Sequence, residues 1–207
     1  MSRIAVVTGG SGGIGGEVVA QLRAKGWHVT SLSRSEGTDV SDERQVVSAF
    51  AKLESLDSLV HCAAELIKRP VGGMSAAEWD VQLGSGLRGA FLCSREAFRL
   101  MREHGGGAIV MVSSLSGVFG AEKFAGMSAY VAAKSGLAGL TEALAVEGRP
   151  LGIRVNAISP GSVDTPMLRI AGVEGPALDP ADVARLIVWL ASPESAPLSG
   201  ANLRLDP

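Results

Sequence analysis

Residues 8–15 read "TGGSGGIG", five glycines in eight positions, set between the apolar run "RIAVV" at 3–7 and "GEVVAQLRAKG" at 16–26. Glycine gives up more backbone freedom on folding than any other residue, so such a cluster suits a place where something must come close to the main chain. Two readings fit the loop alone: a cradle for phosphate, or a tight turn that binds nothing. In the first, the junction of a strand with a helix leaves unpaired N–H groups at the helix start, where the helix dipole adds partial positive charge. A pyrophosphate suits that place. Ser11 can add a hydroxyl, and Gly13 and Gly15 let helix and ligand approach the strand. The spacing TGxxxGxG differs from the commoner GxGxxG.

On the C-terminal side of this loop the strand-then-helix pattern repeats. Apolar runs at about 3–8, 27–32, 57–63, 107–113, 152–158 and 201–205 predict strands, and 13–25, 42–54, 76–103, 128–148 and 180–191 predict helices, the third with a Gly-rich weak point. Asp42 and Asp179 are candidate caps, the latter followed by Pro180 at a first helical position. Alternating strands and helices predict an α/β fold, a doubly wound parallel sheet flanked by helices on both faces. No repeat or linker interrupts the pattern, so residues 1–207 are expected to form a single domain. Only "SRSEGTDVSD", 33–42, separates the second strand from the next helix, whereas a right-handed crossover takes a dozen residues or more. Either a helix is missing here, or a very short third strand around Thr38 to Val40 pairs at the sheet edge; the second is favoured.

Composition excludes several functions. A chain of 207 residues with 46% hydrophobic content is large enough to bury a core, and a net charge of −2 gives no pull toward nucleic acid or an anionic membrane. Cys62 and Cys93 form no CxxC, and His28, His61 and His104 have no zinc-like spacing with them, so no metal is expected. The start "MSRIAVVTGG" lacks a signal-peptide core and no stretch is long enough to span a bilayer, which predicts a soluble, cytoplasmic protein with reduced thiols.

Three stretches, "TGGSGGIG", "YVAAK" (130–134) and "RVNAISPGSVDTPM" (154–167), resemble in order and spacing the glycine loop, catalytic pair and nicotinamide loop of the short-chain dehydrogenase/reductase family. The resemblance implies a Rossmann-type fold and a nicotinamide cofactor, held by the loop residues Gly9, Ser11, Gly12, Gly13, Ile14 and Gly15. The end of the second strand should meet the adenosine ribose, where a carboxylate favours NAD and a cation favours NADP. Ser33 and Arg34 stand there, so NADP(H) is preferred, while Glu36 keeps NAD(H) open. The resemblance further places Asp39 and Val40 at the adenine, and Cys62, Ala63 and Ala64 beside the cofactor. Pro160 and Gly161 shape the nicotinamide loop, the Val163 backbone meets the carboxamide, and Thr165 reaches the amide or phosphate.

Tyr130 is the only tyrosine, and Lys134, four residues later, shares its helix face. A phenol titrates near 10; a nearby ammonium, and the cationic nicotinamide when oxidised, favour the phenolate, and a fall of about three units corresponds to about 4 kcal/mol of differential stabilisation. In "SLSG" the family pattern selects Ser114 to hold the substrate oxygen, with Ser113 and Ser116 as alternatives. The implied reaction interconverts a carbonyl and a secondary alcohol by hydride transfer, with Tyr130 as general acid or base and Lys134 tuning it and holding the ribose. Phe119, Phe124, Met127, Met167 and Leu168 suggest a partly hydrophobic small-molecule substrate.

The chain also departs from the family pattern. "HCAA" (61–64) replaces NNAG, and His61 is read as a satisfied core or sheet-edge residue. Gly86 stands where the family has a catalytic asparagine; its carbonyl could hold a relay water, but it has no side chain to steady the helix kink. "LRLDP" (203–207) lacks the family's glycine pair, and the segment after Pro166 is short. These departures motivate an alternative, an NADP(H)-binding sensor or structural subunit, and dehydration or epimerisation also occurs on this fold. A homodimer or homotetramer built through helices 76–103 and 128–148 is the expected assembly.

Overall fold

The computed structural model describes residues 2–207. Six strands, β1 (Ile4–Thr8), β2 (His28–Leu32), β3 (Ser58–His61), β4 (Gly107–Val112), β5 (Ile153–Pro160) and β6 (Asn202–Leu205), form one sheet in the order β2-β1-β3-β4-β5-β6. Every neighbouring pair is parallel. A parallel sheet covered on both faces needs apolar side chains at consecutive positions, which is why "IAVVT" and "GAIVMV" are continuous runs.

The pleat sends alternate residues to two cores. Val6, Ile109 and Met111 pack with helices α2 (Glu43–Phe50), α4 (Gly89–Glu103) and α5 (Ser128–Gly148), through side chains such as Phe50, Leu92 and Leu137. Ala5, Val7, Val110 and Val112 face α1 (Gly13–Ala24) and α7 (Pro180–Ala191), meeting Val18, Leu22 and Ile187. Each of the larger buried side chains, Val, Leu, Ile, Phe or Met, contributes about 1.5–3 kcal/mol relative to an exposed one. Asp42 caps α2 by accepting from the N–H of Arg44 at 2.9 Å, and Asp179 caps α7 by accepting from Ala181 N–H at 2.7 Å.

The predicted third strand at 38–40 is absent. Residues 34–36 form a 3₁₀ turn, the Thr38 N–H donates to Ser33 O at 2.9 Å, and the Asp39 N–H donates to Gln45 Oε1 at 2.8 Å. With its polar groups satisfied locally the segment offers nothing to a ladder, so β2 is the sheet edge and α2 alone makes the crossover to β3. The long helix predicted at 76–103 is divided at its glycines into α3 (Ala76–Leu83), a π-helical turn Gly84–Arg88, and α4. A Cβ at Gly89 would lie 2.9 Å from Val40 Cγ2, so glycine there lets the 38–40 segment seat against the helix. A short helix not predicted from sequence, α6 (Pro166–Ala171), follows β5.

From β1 the chain crosses to β2 on one side and then to β3 on the other, so the direction of winding changes between β1 and β3. Ligand clefts on open parallel sheets lie beyond the strand ends at this switch. Among the described residues, no helix is long and apolar enough to cross a membrane, and no group of three or more His, Cys, Asp or Glu side chains could hold a metal ion.

Candidate active site

A cleft of about 1260 Å³ opens beyond the C-terminal strand ends, and all the residues expected to bind cofactor or act chemically line it. The glycine loop forms its floor. Gly9 has φ of +68°, and a Cβ there would lie 2.9 Å from Ala63 N; its own N–H donates to Leu32 O at 2.8 Å, tying the loop to the end of β2. A Cβ at Gly15 would stand 2.3 Å from Gly9 O, so the first turn of α1 presses directly on the loop. At Gly12 nothing lies within 4 Å of such an atom. No side chain caps α1 and no acidic residue occupies its first turn, leaving its N–H groups directed at open space. A pyrophosphate fits this cradle.

At the end of β2, Ser33, Arg34 and Ser35 line the cleft. Glu36 is turned back, accepting from Ser31 Oγ at 2.7 Å and Ser33 Oγ at 2.5 Å, which holds its carboxyl below the usual range. The Arg34 guanidinium pairs with Glu65, whose role sequence reading missed. Asp39 accepts from Ser41 N–H at 2.8 Å, and Val40 is buried against α4.

Deeper in the cleft, β4 and α5 bring the polar side chains together. Ser113 donates to Lys134 O at 2.8 Å and is thereby committed to the scaffold. Ser114, the next residue, accepts from Ser116 N–H at 3.2 Å and turns its hydroxyl toward the phenol of Tyr130. A Cβ at Gly117 would lie 2.6 Å from the carbonyl carbon of Lys134, so this glycine lets the 115–117 turn seat on α5. The buried Lys134 Nζ donates to Val112 O at 2.6 Å and lies 5.6 Å from the centre of the Tyr130 ring. Burial lowers its pKa to about 8. Burial pushes the phenol of Tyr130 up, with the Ser114 hydroxyl acting in the opposite sense. The phenol of the chain alone therefore keeps its proton at neutral pH.

The sequence profile described as Enoyl-(Acyl carrier protein) reductase matches residues 9–207. The chain is 35% identical to cis-4-hydroxycyclohexanecarboxylate dehydrogenase of Sinomonas cyclohexanicum, over 99% of this chain and 95% of that protein. It is 33% identical to acetoacetyl-CoA reductase of Rhizobium meliloti (strain 1021), over 98% and 96%. The ligand-free aldohexose dehydrogenase of Thermoplasma acidophilum superposes with a TM-score of 0.90 at 27% identity, covering 99% of this chain and 92% of that one. The chain belongs to the short-chain dehydrogenase/reductase family. It is an oxidoreductase with the Rossmann-type fold, dependent on a nicotinamide dinucleotide.

Against the short-chain dehydrogenase/reductase pattern, the other residues are placed as follows. Pro160, Gly161 and Val163 line the cleft opposite the glycine loop, and Thr165 Cγ2 would stand 3.5 Å from a Cβ at Gly13. Cys62, Ala63 and Ala64 form the wall between them, and burial pushes the Cys62 thiol up to about 12, so it stays neutral. Phe124, Met127, Met167 and Leu168 line the outer cleft, but Phe119 is fully exposed and lies outside it, a correction to the expected apolar wall. His61 is buried in the sheet interior, between β1 and β4, with only one ring nitrogen partnered. Arg204 and Asp206 also line the cleft; nothing in their spacing marked them.

Proposed function

We propose that this short-chain dehydrogenase/reductase interconverts a ketone and a secondary alcohol with NADP(H), using Ser114, Tyr130 and Lys134. The observation that carries this reading is the convergence of the three side chains in one cleft with the uncapped glycine loop. A nicotinamide dinucleotide supplies the hydride in reduction and accepts it in oxidation. Ser114 holds the substrate oxygen by hydrogen bonding. Tyr130, protonated at neutral pH, gives its proton to that oxygen as negative charge develops on it, and Lys134, whose Nζ lies 5.6 Å from the ring centre, stabilises the resulting phenolate. In oxidation the proton returns along the same path.

Preference for NADP(H) is supported by the contrast at the end of β2. The carboxylate that could accept from a ribose hydroxyl, Glu36, is engaged by two serines, whereas Arg34 lines the cleft and is held there by Glu65, a cation that a phosphate can claim. Leu66, Phe124, Met127, Met167 and Val173 form an apolar cluster around Tyr130, which suits a ketone carrying an apolar substituent. Exposed Phe91 on α4 and the free thiols of Cys62 and Cys93 agree with a cytoplasmic homo-oligomer.

The test is steady-state oxidation of NADPH and of NADH with a panel of cyclic and acyclic ketones, followed at the reduced-nicotinamide absorbance. Ketone-dependent turnover with kcat/KM at least ten times higher for NADPH is expected at the charge-assisted contacts proposed. Cofactor binding without turnover across the panel favours the sensor reading.

A further inference from the structure

The wholly buried His61 sits on β3 between β1 and β4. Its Nδ1 lies 2.9 Å from Thr8 Oγ1. Thr8 decides the direction of that bond. Its oxygen already accepts from Ala63 N–H at 3.1 Å, and Nδ1 is the one acceptor beside the hydroxyl proton among the described residues. The hydroxyl therefore donates to Nδ1, and a neutral imidazole so engaged carries its proton on Nε2. That nitrogen has no partner, and the backbone of Ser85 and Gly86, along with that of Ala63, stands beside the ring.

Ser85 and Gly86 belong to the π-helical turn Gly84–Arg88. A Cβ at Gly86 would lie 3.4 Å from Ala133 Cβ, so this turn rests on α5 one residue before Lys134. It is also the place where the family's asparagine is missing. We propose that His61 is a positioning residue whose Nε2–H donates, directly or through one water, to the carbonyl of Ser85 or Gly86, setting the π turn against α5 and thereby placing Lys134. The polar group that steadies the kink then comes from the neighbouring strand instead of from residue 86. Burial, with the Lys134 charge acting in the same sense, lowers the His61 pKa to about 3, so the ring works as a fixed donor and not as a titrating group. This inference rests on Lys134 belonging to the reacting group.

Three readouts on the full chain test it. The ¹⁵N shifts of His61 in the wild type should show the Nε2–H tautomer, unchanged from pH 5 to pH 9. In His61→Leu, which removes the donor proposed to hold the π turn and leaves the Thr8 hydroxyl without its acceptor, the thermal midpoint should fall, and the amides of 84–88 should exchange hydrogen several-fold faster. Its kcat should fall about ten- to a hundred-fold, the scale of a small misplacement, with KM for the ketone nearly unchanged. His61→Asn, which keeps a donor, should recover most of both protection and kcat. The Nδ1–H tautomer, or a ring titrating near pH 6.5, overturns the proposal. So does a Leu variant with unaltered kcat, or one that loses kcat while 84–88 stays protected. Should the Leu variant not fold, the tautomer and the Asn variant decide. The tautomer and exchange readouts do not depend on how Tyr130 acts, so failure of the Tyr130 reading is seen separately.

Discussion

The carboxylate of Glu65 pairs with the guanidinium of Arg34 across 31 residues of sequence, joining the loop beyond β3 to the turn beyond β2. Both side chains line the cleft where the adenosine end of a dinucleotide is proposed to lie. Arg34 is mostly solvent-exposed, so the pair contributes little to folding; its consequence is for binding, because an incoming phosphate and Glu65 compete for one cation.

Arg34→Ala is accordingly expected to weaken NADP(H) binding about ten-fold and to leave NAD(H) nearly unaffected. Glu65→Gln, which removes the competing charge, should tighten NADP(H) binding two- to five-fold, an order-of-magnitude figure for a screened pair. Calorimetric titration of both variants with both cofactors checks this. Equal losses for NAD(H) and NADP(H) in Arg34→Ala would contradict it.

Two glycines of one loop should respond oppositely to alanine. At Gly15 the new methyl meets Gly9 O at 2.3 Å, a backbone atom that cannot yield cheaply, so Gly15→Ala should cost about 1–3 kcal/mol and lower Tm by several degrees. At Gly12 the methyl finds open space within the chain and an extended backbone, so Tm should change little. Affinity for NADPH should nevertheless fall at least about ten-fold, since the methyl projects where the phosphates are proposed to rest. Melting curves with and without NADPH separate the two effects.

The buried Lys134 predicts a pH dependence whose sign can be worked out. Its pKa is about 8 in the folded chain against an ordinary 10.5. Between these values the unfolded chain binds a proton that the folded chain has released, so stability rises with pH in this window, and below 8 the cost of burying the ammonium is felt in full. Without nucleotide, Lys134→Met should therefore melt higher than wild type at pH 7, with the gap narrowing toward pH 10. A gap constant over this range would contradict the assignment.

Much of this was legible in the sequence because burial on both sheet faces leaves uninterrupted apolar runs, and because Tyr130 and Lys134 are one helical turn apart. The errors have local causes. Val40 looks like strand because it is apolar, but it packs on the helix at Gly89 while the N–H groups of Thr38 and Asp39 bond within their own loop. The six residues of α6 are too few to display a period. Glu65 had no spacing signal, since its partner is distant in sequence, and the outward direction of Phe119 is a property of its loop and not of its residue type. Spacing reports that an ammonium is near Tyr130, whereas the desolvation that pushes the phenol up shows only in the burial itself.

The proton-donating role of Tyr130 is tested most directly by measuring kcat of Tyr130→Phe with NADPH and an accepted ketone, alongside its NADPH affinity. Affinity within a few-fold of wild type with kcat reduced about 10²–10⁴-fold is the predicted result, the loss of a general acid from an otherwise intact cleft. A variant that binds NADPH and turns over at the wild-type rate would contradict it.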